Sequence, residues 1–166
     1  LFRYLFAVVS SLPRFVLVLL VCSIYGAEPH VLAIATGASY APQLGDAIHS
    51  RIMELTQADF VMAARAHGFS NLDIVLRQLL WVNCRHLAAR HLLYLFGYYL
   101  LLETTLSYIG GFGIEEPQPS WGNMLAFEFG VHDGNLWAIL APALATWFTI
   151  LAAILAAEGL QERGRG

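Results

Sequence analysis

The longest apolar stretch of the chain runs from Leu136 to Ala157 and contains no charged side chain. A membrane-spanning α-helix needs roughly 20 mostly apolar residues, because each residue adds only about 1.5 Å to its length. We therefore predict a spanning helix here, capped at its start by Asp133 or Asn135 and ended by Gly159. A chain with such a segment is expected to fold within a membrane.

Three further segments are apolar enough to be predicted as spans. The first runs from about Leu12 to Tyr25 and can begin as early as Phe2. The turn from Gly26 to His30 separates it from a short second span, Val31 to Leu44. The third runs from about Leu87 to Ser107.

The composition agrees with a lipid environment. Hydrophobic residues make up 58% of the chain and charged residues 13%, whereas soluble domains average about 25% charged. There are too few polar side chains to solvate the outer surface. We predict an all-α fold, a polytopic transmembrane helical bundle of about four spans, forming one domain over residues 1–166. Because no initiator Met is present, we expect upstream spans to be missing.

All nine basic residues are arginines, and the predicted spans place them on one side. They precede or open the first span, separate the second from the third, or follow the fourth. The opposite loops, 26–30 and 110–134, contain no arginine. The positive-inside rule therefore puts the arginine-rich side in the cytoplasm. The absence of lysine also excludes ATP hydrolysis through a phosphate-binding loop, which requires one.

The cytoplasmic segment from Arg51 to Asn83 is predicted to form two short helices. Apolar residues recur in it at helical spacing, and Gly68 interrupts the pattern. Ser70 or Asn71 can cap the second helix. The first helix carries several alanines, which suit a groove on another protein. An amphipathic helix lying on the membrane surface fits the same pattern equally well.

Two motifs carry a resemblance to a known family. The cytoplasmic segment resembles the E-A-A-x-x-x-G loop of ABC importer permeases, through Phe60, Val61, Ala63, Ala64, Arg65, Ala66, Gly68, Asp73, Ile74, Leu79, Leu80 and Asn83. Leu106–Gly110, followed by Pro117–Leu125, is similar to the L-S-F-L-G…P-x-P-S-W-G-x-M-L segment of the dipeptide/oligopeptide/nickel permease family.

A third match covers the end of the chain. Trp137, Pro142 and Gly159-Leu160 are similar to that family's last span and tail. The three matches occur in order and cover most of the chain from about Leu12 onward. The chain thus resembles the C-terminal part of a permease subunit.

The resemblance implies a transport function without catalysis in this chain. The loop Phe60–Gly68 would dock on a separate ATPase, with coupling residues Ala63, Ala64, Arg65 and Gly68. ATP and Mg²⁺ would be bound by that ATPase, and we expect no metal, cofactor or catalytic residue here. The permease would import di- or oligopeptides, or nickel, by alternating access.

The resemblance also implies partners and a location. The expected partners are ABC ATPase subunits, a second related permease subunit, an extracytoplasmic substrate-binding protein and the lipid bilayer. No nucleic-acid partner is expected. The chain would lie in the cytoplasmic (inner) membrane of a bacterium or archaeon, with its coupling loop and C-terminus in the cytoplasm.

Three polar residues are candidates for the translocation path. Gln43 and Asp46 lie along the inner end of the second span, and they can equally be the solvated end of a helix. Glu103 lies in an apolar segment, where an ionisable group is costly. It can meet a cationic substrate, or it can form a packing hydrogen bond with Thr104 or Thr105 of a neighbouring span.

The external loop 110–134 contains the candidate residues Pro119, Ser120, Trp121, Gly122 and Asn123. We expect this loop to fold over the outer mouth, where a substrate-binding protein could dock. The alternative is a packed loop without substrate contact.

Two other functions remain open at this point. Met62 and Trp81 stand where the resembled family has Glu and Pro, which is typical of a degenerate, non-transporting scaffold. Ser39 faintly resembles the nucleophile of an intramembrane serine protease, although a small contact residue explains it better. No histidine has a defensible position as its base, and we interpret His86 and His91 as interfacial anchors.

Overall fold

The computed structural model describes residues 13–110, 112–114, 117–130 and 136–163, and all regular secondary structure in these ranges is helical. The elements are α1 (Arg14–Tyr25), α2 (Pro29–Leu55), α3 (Asp59–Ala66), α4 (Asn71–Asp73), a π-helical segment (Ile74–Cys84), α5 (Arg85–Ile109), α6 (Trp121–Gly130) and α7 (Leu136–Arg163). The all-α prediction is confirmed for the described residues.

Among the residues that the structure describes, two helices are long and apolar enough to cross a membrane. They are the continuous helix Asn71–Ile109 and the Leu136–Leu160 part of α7. Within their most apolar windows, only 28% and 17% of the residues are buried. The core helix of a soluble protein would be mostly buried, so these apolar faces need lipid or another protein as a neighbour.

The boundaries of the first two helices differ in part from the prediction. Helix α1 ends before Gly26, as predicted. Helix α2 begins at Pro29, inside the predicted break, because proline fits the first turn of a helix, where its missing N–H costs nothing. The second span is predicted to end near Leu44, whereas the helix itself passes Pro42 and continues to Leu55. Hydropathy marks where the apolar surface ends, not where the helix ends.

The later helices follow the prediction more closely. The third predicted span lies within α5, and the fourth begins at Leu136, as expected. The predicted end at Gly159 is wrong, because α7 continues to Arg163. Glycine lowers helix propensity by only about 1 kcal/mol, which one residue in a long helix tolerates. The predicted cap at Asp133 or Asn135 falls outside the described residues, as does a start near Phe2.

The main core lies where α1, α2 and α5 meet. Its buried members come from all three helices: Val18, Cys22, Leu32, Ala35, Leu102 and Leu106. Helix α7 packs along α5, and α6 packs against both α5 and α7. Further along α2, Tyr40 contacts His91 of α5. Because residue numbers rise along α2 as they fall along α5, these two helices are antiparallel.

A second core fixes α3. Val61 and Ala64 of α3 pack against Ile74 and Leu79 of the π-helical segment, with Ile52 and Leu55 of α2 alongside. The short helix is thereby attached to the end of α2 and to the start of the long helix.

The π-helical segment Ile74–Cys84 joins α4 to α5 within one continuous helix of 39 residues. π-helices are rare and usually occupy a single turn. Within this one, the Asn83 side chain donates a 2.6 Å hydrogen bond to the Gln78 carbonyl. Trp81 lies in this segment with 71% of its surface exposed. Unlike proline, tryptophan keeps its backbone N–H, so the helix passes through this position.

Candidate functional site

The predicted glycine turn between two helices is confirmed at Gly68, but the prediction that the second helix is short is wrong, because it continues without a break from Asn71 to Ile109. Gly68 has φ of +84°, a conformation that glycine adopts without a Cβ clash. The N–H groups of Phe69 and Gly68 donate to the carbonyls of Ala64 and Arg65 at 3.2 and 3.0 Å. These two bonds form a Schellman motif, which satisfies carbonyls at the end of α3. Ser70 then caps the following helix through its side-chain oxygen.

Helix α3 has one face against its own chain and one face outward. Val61 and Ala64 are buried, with 1% and 7% of their surfaces exposed. Ala63, Arg65 and Gly68 are exposed. Of the four predicted coupling residues, Ala64 therefore faces inward and supports the helix. The other three are available to a partner.

The outward face of α3 includes large apolar side chains. Phe60 is 40% exposed and Met62 is 57% exposed. Phe69, in the turn that follows, is 53% exposed. Clusters of exposed apolar side chains on a rigid element mark surfaces that contact another protein or lipid.

The three candidate path residues are not brought together. Gln43 and Asp46 are exposed on α2, whereas Glu103 is buried, with 5% of its surface exposed. The contact between Tyr40 and His91 shows which positions of α2 and α5 lie at the same height along the bundle. Glu103 lies twelve residues after His91 on α5, and Gln43 lies three residues after Tyr40 on α2, so the two lie on opposite sides of this contact. At 1.5 Å per residue, Glu103 and Gln43 are separated by about 20 Å along the bundle.

Glu103 is hydrogen-bonded within its own helix and linked to the following loop. The Ser107 hydroxyl donates to Glu103 Oε1 at 3.0 Å. The backbone N–H of Ile114 donates to Ser107 Oγ at 2.9 Å. The Thr104 hydroxyl lies 3.4 Å from Glu103 Oε2. These bonds to Glu103 lie within one helix, with Ser107 one turn further along as the main partner, so they are not the expected packing bond with a neighbouring span.

The end of α5 and the start of α6, which carry the two parts of the Leu106–Gly110 and Pro117–Leu125 motif, pack against each other. Ser120 is buried and caps α6, because its Oγ accepts from the N–H of Asn123 at 3.0 Å. A Cβ atom on Gly122 would lie 2.6 Å from both Ser107 Cβ and the Thr104 carbonyl oxygen. Only glycine permits so close an approach between α6 and α5.

The described residues of loop 110–134 border two clefts at the end of the bundle where α5 ends. One, of about 340 Å³, lies between α6 and α7, and Pro119, Ser120 and Asn123 contribute to its walls. The other, of about 290 Å³, lies between residues 26–29 and residues 113–114 and 117–118. Pro119 is exposed on the rim, and Trp121 is half-buried. The loop is therefore packed and also borders open space.

One buried polar contact was not predicted. The Tyr40 hydroxyl lies 3.0 Å from His91 Nδ1, and both residues are buried. The Arg14 guanidinium lies over the Tyr40 ring, 5.4 Å from its centroid. The interpretation of His91 as an interfacial anchor is therefore wrong. Nearby, Ser39 donates to the Thr36 carbonyl at 2.8 Å, as suits a small contact residue.

The helices Asn71–Ile109 and Leu136–Leu160, whose apolar side chains mostly face away from the rest of the chain, define a membrane-embedded helical protein. Residues 1–165 match the family described as the binding-protein-dependent transport system inner membrane component, and the chain belongs to this family. A putative peptide transport system permease protein of Brucella suis is 32% identical over 161 residues, which cover 95% of this chain and 54% of the relative.

Two further relatives carry more specific names. The dipeptide transport system permease protein of Alkalihalophilus pseudofirmus is 25% identical, over 95% of this chain and 51% of the relative. The oligopeptide transport system permease protein of Haemophilus influenzae is 26% identical, over 93% and 49%. The chain thus spans about half the length of the curated relatives it matches.

Proposed function

We propose that the chain forms part of the membrane-spanning subunit of an ATP-driven importer in the inner membrane. Helix α1, the first half of α2, α5 and α7 would be its four spans. The arginine-rich ends of these helices would face the cytoplasm, by the positive-inside rule. Residues 1–166 would then be one part of a larger transmembrane domain.

The observation that carries this proposal is the geometry of α3. The helix is short, fixed by Val61 and Ala64 on one side and exposed on the other. A rigid helix of this kind can transmit a push from a partner to α2 and to the long helix that contains α5. The loop Phe60–Gly68 would dock on the ATPase through Ala63, Arg65 and Gly68, and Ala64 would hold the docking face in place.

The proposed partners follow from the family's dependence on a binding protein. ATP and Mg²⁺ would be bound by ATPase subunits, and a second related permease subunit would complete the path. Gln43 and Asp46, exposed and polar on a membrane helix, would line that path. A substrate-binding protein would dock at the outer loop that includes Pro119–Asn123.

The proposed substrate is a di- or oligopeptide. The relatives' names support this choice, since they specify peptide, dipeptide and oligopeptide transport. Nickel, the other solute that the sequence resemblance allows, has no support from those names.

The test is co-purification of the full-length permease with its ATPase in mild detergent. Ala63→Arg places a large charged side chain on the exposed face of α3 and should abolish retention of the ATPase. Ser50→Arg is the matched control, because Ser50 is also exposed and small but lies on α2, outside the proposed docking loop. Ala64→Arg is unsuitable, because it would disrupt the buried face.

Loss of the ATPase in Ala63→Arg alone, with membrane insertion intact in both variants, would support the docking assignment. Equal retention in wild type and Ala63→Arg would contradict it. If the wild-type permease retains no ATPase, the importer proposal itself fails.

A further inference from the structure

Like Thr104 at 3.4 Å, Ser107 directs its hydroxyl at the Glu103 carboxyl group, and it thereby differs from most other hydroxyl residues in the described helices. Several of these donate their hydroxyl to the backbone carbonyl four residues earlier, a common arrangement in helices: Ser23, Thr36, Thr105, Thr146 and Thr149. Ser107 instead donates to the side chain of the residue four positions earlier, the Glu103 carboxyl group. The carboxyl group therefore redirects a hydroxyl that would otherwise bond to the helix backbone.

The direction of the hydroxyl proton determines which hydrogen bond the Ser107 oxygen can accept. Ser107 has one hydroxyl proton, and it is directed at Glu103 Oε1. The oxygen lone pairs then remain open to the loop, where the N–H of Ile114 donates at 2.9 Å. Glu103, Ser107 and Ile114 are all buried, so loss of either hydrogen bond would leave a polar group with neither water nor a protein partner.

Two glycines bring further chain segments onto the same serine. A Cβ atom on Gly113 would overlap the Ser107 backbone, and one on Gly122 would lie 2.6 Å from Ser107 Cβ. The loop and α6 thus both contact Ser107 more closely than any residue larger than glycine at positions 113 and 122 would allow. Gly113 and Ile114 also line the outer cleft of about 290 Å³ together with residues 26–29.

We infer that Glu103 is a positioning residue for the outer face of the permease. Its carboxyl group orients the Ser107 hydroxyl, and Ser107 holds segment 112–114 against the end of α5, so that this wall of the outer cleft has one shape. Glu103 acts as a hydrogen-bond acceptor, and its negative charge is not required. The structural part of this inference stands alone, and its consequence for transport rests on the proposed function.

The first experiment is hydrogen–deuterium exchange of the full-length permease in lipid nanodiscs, read at Ile114 and its neighbours. Glu103→Leu removes the acceptor and should speed exchange of Ile114 about tenfold, the loss expected for one buried hydrogen bond. Glu103→Gln keeps a carbonyl oxygen that can accept from Ser107 and should leave exchange within about twofold of wild type. Ser107→Ala should match Glu103→Leu.

Two further variants test the connection between these residues. Combining Glu103→Leu with Ser107→Ala should add almost nothing to either change alone, because both break the same chain of hydrogen bonds. Thr105→Ala is the matched control, because it removes a hydroxyl from the same helix that bonds only to the Leu101 carbonyl. It should exchange like wild type at Ile114.

The second experiment measures transport in proteoliposomes against the concentration of solute-loaded binding protein. Glu103→Leu should raise the half-saturating concentration several-fold with little change in maximal rate, and Glu103→Gln should restore the wild-type value. If Glu103→Gln matches Glu103→Leu in exchange, or if Glu103→Leu leaves Ile114 protected, the inference is overturned. If wild type does not transport, the proposed function fails, and the exchange data still decide the role of Glu103.

Discussion

The hydroxyl of Tyr40 lies 3.0 Å from Nδ1 of His91, and this hydrogen bond joins α2 to α5 inside the bundle. Both side chains are buried. His91 also meets the ring of Tyr94 edge-on, with centroids 6.4 Å apart. A buried hydrogen bond between two helices forms only where its two side chains meet, so this pair favours one register of α2 against α5.

Tyr40→Phe should lower the stability of the protein without changing its fold. Interhelical hydrogen bonds in membrane proteins contribute about 0.6 kcal/mol on average and up to about 1.7 kcal/mol. We expect a loss in this range, measured by thermal unfolding in detergent. Tyr25→Phe makes the same atomic change at a residue that is 74% exposed and should have no effect. Equal shifts in both variants would contradict a stabilising role for the Tyr40–His91 bond.

Gly122→Ala should separate α6 from α5. The added methyl group would lie 2.6 Å from Ser107 Cβ and from the Thr104 carbonyl oxygen, so the backbone must move. Overpacking of this kind costs about 1–3 kcal/mol, and the expected result is a lower unfolding temperature. Gly159→Ala is the control, because a Cβ atom there meets nothing within 4 Å. This control should be neutral or slightly stabilising, and a similar loss in it would show that helix propensity dominates.

Gly68→Ala should destabilise the end of α3. A residue with a side chain pays roughly 1–2 kcal/mol for the left-handed conformation that Gly68 adopts. We expect faster proteolysis between α3 and α4, measured by limited digestion in detergent. Gly45→Ala, within α2 and with open space around the new Cβ, should leave the digestion pattern unchanged. Identical patterns in wild type and Gly68→Ala would show that the Schellman motif is not required.

The proposed topology can be tested with single introduced cysteines. His67→Cys lies in the exposed turn after α3 and should be labelled only from the cytoplasmic side. Gln118→Cys lies in the exposed outer loop and should be labelled only from the opposite side. Background should be low, since the native Cys22 and Cys84 are both buried. Labelling of both positions from one side would exclude the proposed arrangement of spans.

The helices were largely predictable from the sequence, because hydropathy and glycine placement act locally. Helix α5 and the start of α7 agree with their apolar segments, and Gly68 separates two helices as predicted. The ends of α2 and α7 were not predicted. Both helices continue into polar residues, where hydropathy gives no signal but backbone hydrogen bonds still form.

The candidate sites were less predictable, because they depend on how distant segments meet. Tyr40 and His91 are 51 residues apart, and neither is marked by its local sequence. The inward orientation of Ala64 is set by packing against Ile74 and Leu79, not by its own helix. Glu103 and Ser107 do carry a local signal for their contact, since they are four residues apart, the spacing at which helical side chains meet.

The sparse burial of α7 has a consequence for biogenesis. Only 17% of its most apolar window is covered by the rest of the described chain, so in the proposed topology most of its apolar surface meets acyl chains or partner helices. In the proposed topology, α7 is therefore long and apolar enough to enter the bilayer without first packing against the other described helices. Partner helices can select among already inserted spans, and a substitution that impairs packing of α7 need not prevent its integration.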